Sequence, residues 1–198
     1  MRVVDGFQGR YYFPSEYYDE ARNKALNLNN INERELKWHT NPKYYRGKKK
    51  NIEYNTIGFL AEKVVKEYYR KENVKVKNLA EVNITGLNYQ DRPDSEKRKA
   101  DIELTDSFGS FKTEVKGRSR KRSIGLQEVI INKERHKKRI NEIDKYCFAI
   151  LFPERPSSEE TFTDIYVYDY NDIVNWNKYK TKNVVYRNVK PCYESKKY

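Results

Sequence analysis

The sequence predicts an α/β protein with a mixed β-sheet flanked by helices, and three patterns lead to that class. Apolar and polar residues alternate at 100–104 and 111–115, as in strands with one buried face. Apolar residues recur at helical spacing at 56–69, upstream of those strands. A buried strand at 146–152 and an alternating strand at 161–168 follow downstream. Helix, hairpin, helix, strand and strand in this order indicate a mixed α/β sandwich.

Two helices are predicted in the first third of the chain. A Pro-Ser-Glu start signal and the apolar residues after it indicate a helix over 15–28. Residues 29–55 are polar and basic, and we expect loops there with a short helix around 33–38. The helix over 56–69 is amphipathic, and Glu62 lies at the edge of its apolar stripe.

The two alternating segments are predicted to form an antiparallel hairpin. Residues 105–110, which separate them, are small, polar or glycine and are typical of a turn. In the register that keeps both apolar faces together, Ile102 pairs with Thr113. The same register sets Asp101 opposite Glu114.

Two carboxylates facing each other across a strand pair lie about 5 Å apart and repel, so a structural role alone gives little reason for them. Mg²⁺ or Mn²⁺ would turn this repulsion into binding, because hard cations take carboxylate oxygens as ligands. Lys116 shares a face with Glu114 and is placed to orient a water molecule or to neutralise phosphate charge. The alternative is a solvated charged face, since such spacings occur by chance in a chain that is 35% charged.

Asp101, followed by Glu114-Val115-Lys116 and preceded by a helix carrying Glu62, resembles the core of the PD-(D/E)XK nuclease superfamily, the restriction-endonuclease-like fold. The resemblance implies that Asp101 and Glu114 bind the metal directly and that the Val115 carbonyl completes the coordination. It implies that Lys116 is the catalytic lysine and that Glu62 supports the metal site. An ordinary surface residue of an amphipathic helix is the alternative for Glu62.

Two positions leave a choice open. The literal Pro93-Asp94 pair lies in a polar stretch at 88–99 that is predicted to be a loop, so Asp101 is preferred although Ala100 precedes it. Gln127 is a candidate site residue, because some members of the superfamily place a polar residue in the element after the catalytic strand. An ordinary surface glutamine is the alternative.

The remaining segments complete the α/β pattern. In chain order they are a strand at 73–77, a strand or helix at 123–131, a helix from 132 to about 143, a loop at 153–160, a short helix at 171–178 and an edge strand at 183–188. We expect a single domain over 1–198. Within it, 1–54 form a helical and basic elaboration, 55–170 the core covered by the resemblance, and 171–198 a final helix and edge strand.

The chain carries a net charge of +12 over 198 residues, which favours a polyanionic partner. Two basic runs flank the predicted site, one before the Glu62 helix and one directly after Lys116. Their residues are expected to bind the nucleic-acid backbone: Lys48, Lys49, Lys50, Arg118, Arg120, Lys121 and Arg122. A solvated surface is the alternative for each run, and the metal motif between them favours nucleic acid.

The sequence lacks the motifs typical of zinc, nucleotide and serine-hydrolase sites. It contains two histidines and two cysteines without zinc-site spacing, and Cys147 is predicted to be a buried small hydrophobe. No phosphate-binding loop, dinucleotide fingerprint or serine-hydrolase elbow occurs, so no small-molecule cofactor is expected. The apolar run at 147–152 is too short for a membrane span, and no signal-peptide core is present. We expect a cytoplasmic protein, acting in the host cell if it is viral.

With the resemblance, these features predict a Mg²⁺- or Mn²⁺-dependent DNA endonuclease. The small size and basic surface are most similar to the archaeal Holliday-junction resolvase branch, which implies a homodimer because two strands are cut. A restriction or repair nuclease is the nearest alternative. A non-catalytic basic nucleic-acid-binding protein, or a nuclease-like scaffold in a larger viral or mobile-element assembly, are alternatives of another class.

Overall fold

Most amphipathic and alternating segments of this chain form the helices and strands that their patterns predict. The computed structural model describes residues 6–35, 48–79, 100–119, 126–138, 140–151, 161–180 and 184–191. These residues contain a mixed six-stranded sheet, a three-stranded sheet and two long helices. The predicted α/β class is therefore confirmed.

Along the described chain, a first strand and two long helices precede most of the strands. In chain order the elements are β1 (Phe7–Tyr12), α1 (Glu16–Glu35), α2 (Lys48–Lys71), β2 (Lys75–Asn78), β3 (Ile102–Asp106), β4 (Gly109–Ser119), β5 (Leu126–Asn132), α3 (Lys133–Lys137), β6 (Lys145–Leu151), β7 (Phe162–Asp169), a 3-10 helix (Tyr170–Asn175), β8 (Asn177–Lys180) and β9 (Val184–Pro191). None of the described helices is long and apolar enough to cross a membrane.

The central sheet has the strand order β1-β7-β6-β4-β3-β2. β4 and β6 pair in parallel, whereas the other neighbouring strands pair antiparallel. A parallel pair needs a crossover connection, and the described part of this connection contains β5 and α3. β5 belongs to the second sheet, which is antiparallel and has the order β5-β9-β8.

One face of the central sheet, which we call the helix face, packs against α2. Its buried residues are mostly aliphatic or small: Ile102, Leu104, Val115, Cys147, Ala149, Leu151 and Ile165. From α2, Leu60, Ala61, Val64 and Val65 are buried against them, and α1 packs on α2. Each methylene buried in this contact contributes about 0.8 kcal/mol.

The opposite face, which we call the aromatic face, is lined largely by rings. Its buried residues are Tyr146, Phe148, Ile150, Tyr166 and Tyr168, and the 3-10 helix adds Tyr170 and Ile173. Paired residues of neighbouring strands share a face, and so do residues two apart in one strand. The register of β4 with β6 therefore places Glu114, Lys116 and Arg118 on the aromatic face.

The predicted hairpin is confirmed in both position and register, with Ile102 paired to Thr113 across β3 and β4. Its turn is closed by Asp106, whose Oδ1 accepts the Phe108 backbone N–H at 2.7 Å. Gly109 follows with a φ of 138°, a conformation that favours glycine. The alternating pattern and the turn residues were sufficient to predict this element.

Both predicted long helices are confirmed and are longer than expected. The helix predicted at 15–28 continues to Glu35 as α1, and the helix predicted at 56–69 begins at Lys48 as α2. The loop expected over residues 48–55 is therefore wrong. These residues contain no glycine or proline, so nothing in the backbone stops α2 from starting there.

The helix predicted from 132 to about 143 is also wrong, since α3 spans only Lys133–Lys137. The sequence sets Lys133 four residues before Lys137, and Arg135 four residues before Arg139. Like charges at this spacing destabilise a helix, which accounts for its shortness.

The carboxy-terminal predictions require two corrections. The short helix expected at 171–178 is a 3-10 helix over Tyr170–Asn175, followed by β8. The final strand exists as β9, but it lies between β5 and β8 and is not an edge strand. Pairing between strands so distant in the chain leaves no local sequence signal.

The strands predicted at 73–77, 146–152 and 161–168 are confirmed as β2, β6 and β7, and the ambiguous segment at 123–131 contains strand β5. The loops predicted at 88–99, with Pro93-Asp94, and at 153–160 lie outside the described residues. The division at residues 54 and 170 stays a prediction. β1 pairs with β7, so the amino-terminal segment adds a strand to the central sheet.

Candidate active site

Asp101 immediately precedes β3, and Glu114 lies in the interior of β4. The Asp101 backbone N–H donates to the Thr113 carbonyl at 3.1 Å, although Thr113 is the pairing partner of Ile102, so the pairing shifts by one residue at Asp101. The predicted pairing of Asp101 with Glu114 therefore does not continue the hairpin register, but the two carboxylates are close enough that the charge of Glu114 raises the pKa of Asp101.

The Asp101 carboxylate is fixed by the backbone of β4. Its Oδ2 accepts the Val115 N–H at 2.7 Å. This bond uses one of the two carboxylate oxygens and ties Asp101 to β4, beside Glu114. This hydrogen bond therefore fixes the orientation of the Asp101 carboxylate, although Asp101 lies outside β3.

Glu114 is 4% exposed and forms an ion pair in which Lys116 Nζ donates to Glu114 Oε1. The Lys116 side chain is 36% exposed, against 5% for that of Glu114, so the ammonium group lies toward solvent. Residues two apart in a strand share a face, so the Glu-x-Lys spacing brings these groups together. The ion pair therefore places the Lys116 ammonium group at the solvent-exposed edge of the candidate site.

The electrostatic environment of Asp101 is unfavourable to its charged form. Burial, and then the negative charge of Glu114, raise the pKa of Asp101. The Lys116 ammonium and the Val115 hydrogen bond act in the opposite direction, and the charge of Glu62 raises the pKa further. Two carboxylates that each disfavour the ionisation of the other are an arrangement that a bound cation would relieve.

Glu62 lies on α2 and reaches the same electrostatic neighbourhood. Burial raises its pKa, and Lys66 and Lys24 counteract this, while the charge of Glu114 adds to the increase. Lys66 Nζ lies 3.5 Å from Glu62 Oε2. Three carboxylates, Glu62, Asp101 and Glu114, therefore influence one another.

Gly117 brings α2 close enough to β4 for this coupling. A Cβ atom at position 117 would lie 2.6 Å from the Ile57 carbonyl oxygen and 2.9 Å from the Ala61 Cβ. Only glycine permits this approach, because a side chain would displace the helix. Ala61 directly precedes Glu62, so the contact at Gly117 determines the distance of Glu62 from the strand.

Asp101 and Glu114 offer the carboxylate oxygens that Mg²⁺ and Mn²⁺ prefer, and their mutual repulsion fits a bound cation. Within the described residues there is no group of three or more His, Cys, Asp and Glu side chains arranged to hold a metal ion. A site of two carboxylates completed by a backbone carbonyl, water and phosphate agrees with that finding. The role of the Val115 carbonyl stays a prediction.

The predicted nucleic-acid-binding residues that the structure describes lie on α2 and on β4. Lys48, Lys49 and Lys50 begin α2, and the side chains of Lys49 and Lys50 are exposed. Arg118 lies on β4 two residues after Lys116, and burial lowers its pKa. Its Nη1 donates to the Gly117 carbonyl at 3.3 Å.

Three of the predicted basic residues, Arg120, Lys121 and Arg122, lie outside the described residues. Gln127 lies on β5, where it pairs with Lys190 of β9 in the second sheet. Its role stays a prediction.

Lys24 and Lys66 were not predicted as site residues, although both act on Glu62. Lys66 follows Glu62 by four residues on one helix, a spacing that brings side chains together and is visible in the sequence. Lys24 lies on α1, and only the packing of α1 on α2 brings it near. No local pattern could have identified Lys24.

No family model, curated protein or solved structure matches this chain.

Proposed function

We propose that this protein is a metal-dependent DNA endonuclease with a restriction-endonuclease-like fold. Asp101 and Glu114 hold Mg²⁺ or Mn²⁺, and Lys116 is the catalytic lysine. The observation that carries the proposal is the convergence of these side chains: Asp101 is tied to Val115, and Glu114 is paired with Lys116 on the same face.

The chain order of the elements supports the proposal. A helix carrying Glu62 is followed by the β3–β4 hairpin, then by α3 and by β6, which pairs with β4. This is the order that the sequence resemblance implies for the core. Topology alone does not define a reaction, so the function is argued from the side chains.

The bound cation would polarise a phosphodiester and lower the pKa of a coordinated water molecule. The chain's own groups act around it. The Val115 N–H orients Asp101, and the buried Glu114 carboxylate faces Asp101. Lys116 reaches the rim of the site, where its ammonium group can orient the water or neutralise charge on the phosphate. Glu62, paired with Lys66, supports the site from α2.

Charge and position support a nucleic-acid substrate. The net charge is +12, and Arg118 lies on the same face of β4 as Lys116. Cutting two strands needs two such sites, which favours a homodimer and a structure-directed nuclease such as a Holliday-junction resolvase. A restriction or repair nuclease uses the same site, and a panel of DNA substrates distinguishes them.

The decisive experiment incubates the protein with labelled duplex, single-stranded and four-way-junction DNA in Mg²⁺, in Mn²⁺ and in chelator. We expect cleavage in either metal and none in chelator. Glu114→Ala and Lys116→Ala should each reduce cleavage by roughly a hundredfold or more, while DNA binding in chelator is retained.

Matched controls lie on the same hairpin. Lys112→Ala removes an exposed lysine of β4, and Glu103→Gln removes a carboxylate of β3 that pairs with Lys77 at 3.4 Å. Both variants should cut at the wild-type rate. A second readout is the melting temperature, which Mn²⁺ should raise for wild type and not for Glu114→Ala, because a cation that binds only the folded chain stabilises it.

A non-catalytic nucleic-acid binder is the second candidate, and the ion pair between Glu114 and Lys116 favours it, since Lys116 already neutralises a buried carboxylate. Absence of cleavage on every DNA tested, together with no effect of Mn²⁺ on melting, would establish this alternative and reject the nuclease.

A further inference from the structure

A cluster of one arginine and two aromatic rings lies at the edge of the central sheet, away from Asp101 and Glu114. Arg10 Cζ lies 4.0 Å from the centroid of the Phe162 ring. The rings of Tyr12 and Phe162 are 5.7 Å apart, centroid to centroid, and inclined at 50°. Tyr12 is 56% exposed.

A buried carboxylate holds this cluster in place. Arg10 Nε donates to Asp164 Oδ1 at 2.7 Å, and Arg10 Nη2 donates to Asp164 Oδ2 at 3.0 Å. Asp164 is 4% exposed. A two-point contact of this kind fixes the plane of the guanidinium group, so Arg10 presents a flat surface to Phe162. Arg10 therefore stacks on Phe162, with Tyr12 tilted beside it, and we call these three side chains the stack.

The stack lies on the aromatic face. Arg10 pairs with Asp164 and Tyr12 with Phe162, while Asp164 pairs with Ile150, a buried residue of that face. Glu114 and Lys116 are therefore on the same side of the sheet as the stack. The stack is also at the end of the sheet where the parallel strands β4 and β6 finish.

The distance between the two places follows from the register. From β4 to β1 there are three strand spacings, about 14 Å in total. Lys116 is in the row of Tyr166, four residues along β7 from Phe162, which adds about 13 Å along the strands. The separation is therefore on the order of 20 Å, and a strand joining the two places needs at least about six stacked nucleotides, because it passes over the buried residues Phe148 and Tyr166.

We propose that Tyr12, supported by Phe162 and Arg10, is a stacking platform for an unpaired base of the nucleic-acid strand that enters the candidate active site. Every base has a ring face that can stack on an aromatic side chain, so the platform is tolerant of sequence. Bases within a duplex are already stacked, so the ligand is a single-stranded region at least about six nucleotides from the scissile bond. The inference rests on the proposed function, because only a nuclease has a scissile bond at Asp101, Glu114 and Lys116.

The experiment measures binding of fluorescent oligothymidines in chelator, where no cleavage occurs. Tyr12→Ala should weaken binding of an oligomer of about twelve nucleotides by roughly fivefold or more, the loss expected for one stacked base. Binding of an oligomer of about four nucleotides, too short to reach both places, should change less, as should binding of blunt duplex.

Tyr12→Phe keeps the ring and should bind like wild type. Phe108→Ala is the matched control, since Phe108 is 89% exposed at the β3–β4 turn, toward the opposite end of β4. It should leave binding unchanged, and melting curves show that the variants fold. Equal binding by Tyr12→Ala and wild type to the long oligomer overturns the inference. So does an equal loss for long oligomer, short oligomer and duplex.

Failure of this inference is separable from failure of the proposed function. Metal-dependent cleavage with no effect of Tyr12→Ala leaves the nuclease and rejects the platform. A length-dependent effect of Tyr12→Ala without cleavage in any metal leaves a single-strand-binding platform and rejects the nuclease.

Discussion

The helix face of the central sheet is lined mostly by aliphatic residues, whereas the aromatic face combines rings with the charged residues of the candidate site. The helix face buries mostly aliphatic groups, which need no hydrogen-bond partners. On the aromatic face, buried tyrosines bring hydroxyl groups that need them. Tyr170 Oη donates to the His136 carbonyl at 2.6 Å, and Tyr146 Oη lies 3.1 Å from His136 Nδ1.

This difference explains how one sheet can both fold and carry charge. Buried tyrosines contribute apolar area and polar tips together, so the face they line tolerates neighbouring charged groups. Glu114 pairs in register with Tyr146, and Lys116 with Phe148. The aromatic face should therefore couple stability to the geometry of the site, and the helix face should contribute mainly stability.

Removing a ring from the aromatic face should have the largest effect on stability. Phe148 is fully buried and lies edge-on to Tyr168 at 5.9 Å between centroids. Phe148→Ala should lower the free energy of unfolding by about 3–5 kcal/mol. Val65→Ala on α2, at the helix face, should cost about 1–2 kcal/mol. Urea unfolding measures both, and equal losses would contradict the contrast between the faces.

A change at the contact between α2 and β4 tests whether the helix face also positions Glu62. Gly117→Ala places a methyl group against Ile57 and Ala61 and should cost about 1–3 kcal/mol. It should also reduce the increase in melting temperature caused by Mn²⁺, since Glu62 moves with the helix.

Gly58→Ala is the matched control for that prediction. Gly58 lies within α2, and an added Cβ meets no atom within 4 Å. Alanine in a helix interior is favoured over glycine by about 0.5–1 kcal/mol, so this variant should be more stable than wild type. If both glycine variants shift stability in the same direction, close packing at Gly117 is not what separates them.

Much of the site was predictable because it depends on alternation within two adjacent strands. Glu114 and Lys116 share one face of β4, and apolar residues of the opposite face fix the hairpin register. Asp101, immediately before β3, reaches β4 by accepting a backbone N–H of that strand. The helix carrying Glu62 was predictable from its periodicity. Its approach to β4 was not, because it depends on the absence of a side chain at Gly117.

Features that depend on distant segments have no local signal in the chain. The Arg10–Asp164 pair joins residues that are 154 positions apart. The second sheet unites β5 with β9 across a wide separation in sequence, and the local pattern of its central strand predicts an edge strand. Alternation gives the face of a residue, and only the folded topology gives its neighbours across the sheet.

The last prediction concerns how the free energy of unfolding depends on pH through Asp101. Its pKa is raised in the folded chain, chiefly by burial and by Glu114, so the folded state binds a proton more tightly than the unfolded state. Stability from this group is therefore fully present at pH below the ordinary pKa of aspartate and declines as pH rises through the folded-state pKa. The charged form is the destabilising one.

Asp101→Asn removes that charge and keeps an oxygen to accept the Val115 N–H. In chelator at pH 8 the variant should be more stable than wild type by about 1 kcal/mol or more, and the gain should vanish near pH 4. Urea unfolding at both pH values measures this, with the exposed Asp172→Asn as control. Loss of cleavage together with increased stability would show that Asp101 is retained for chemistry at a cost to folding, whereas a variant less stable than wild type at pH 8 would contradict the repulsion between Asp101 and Glu114.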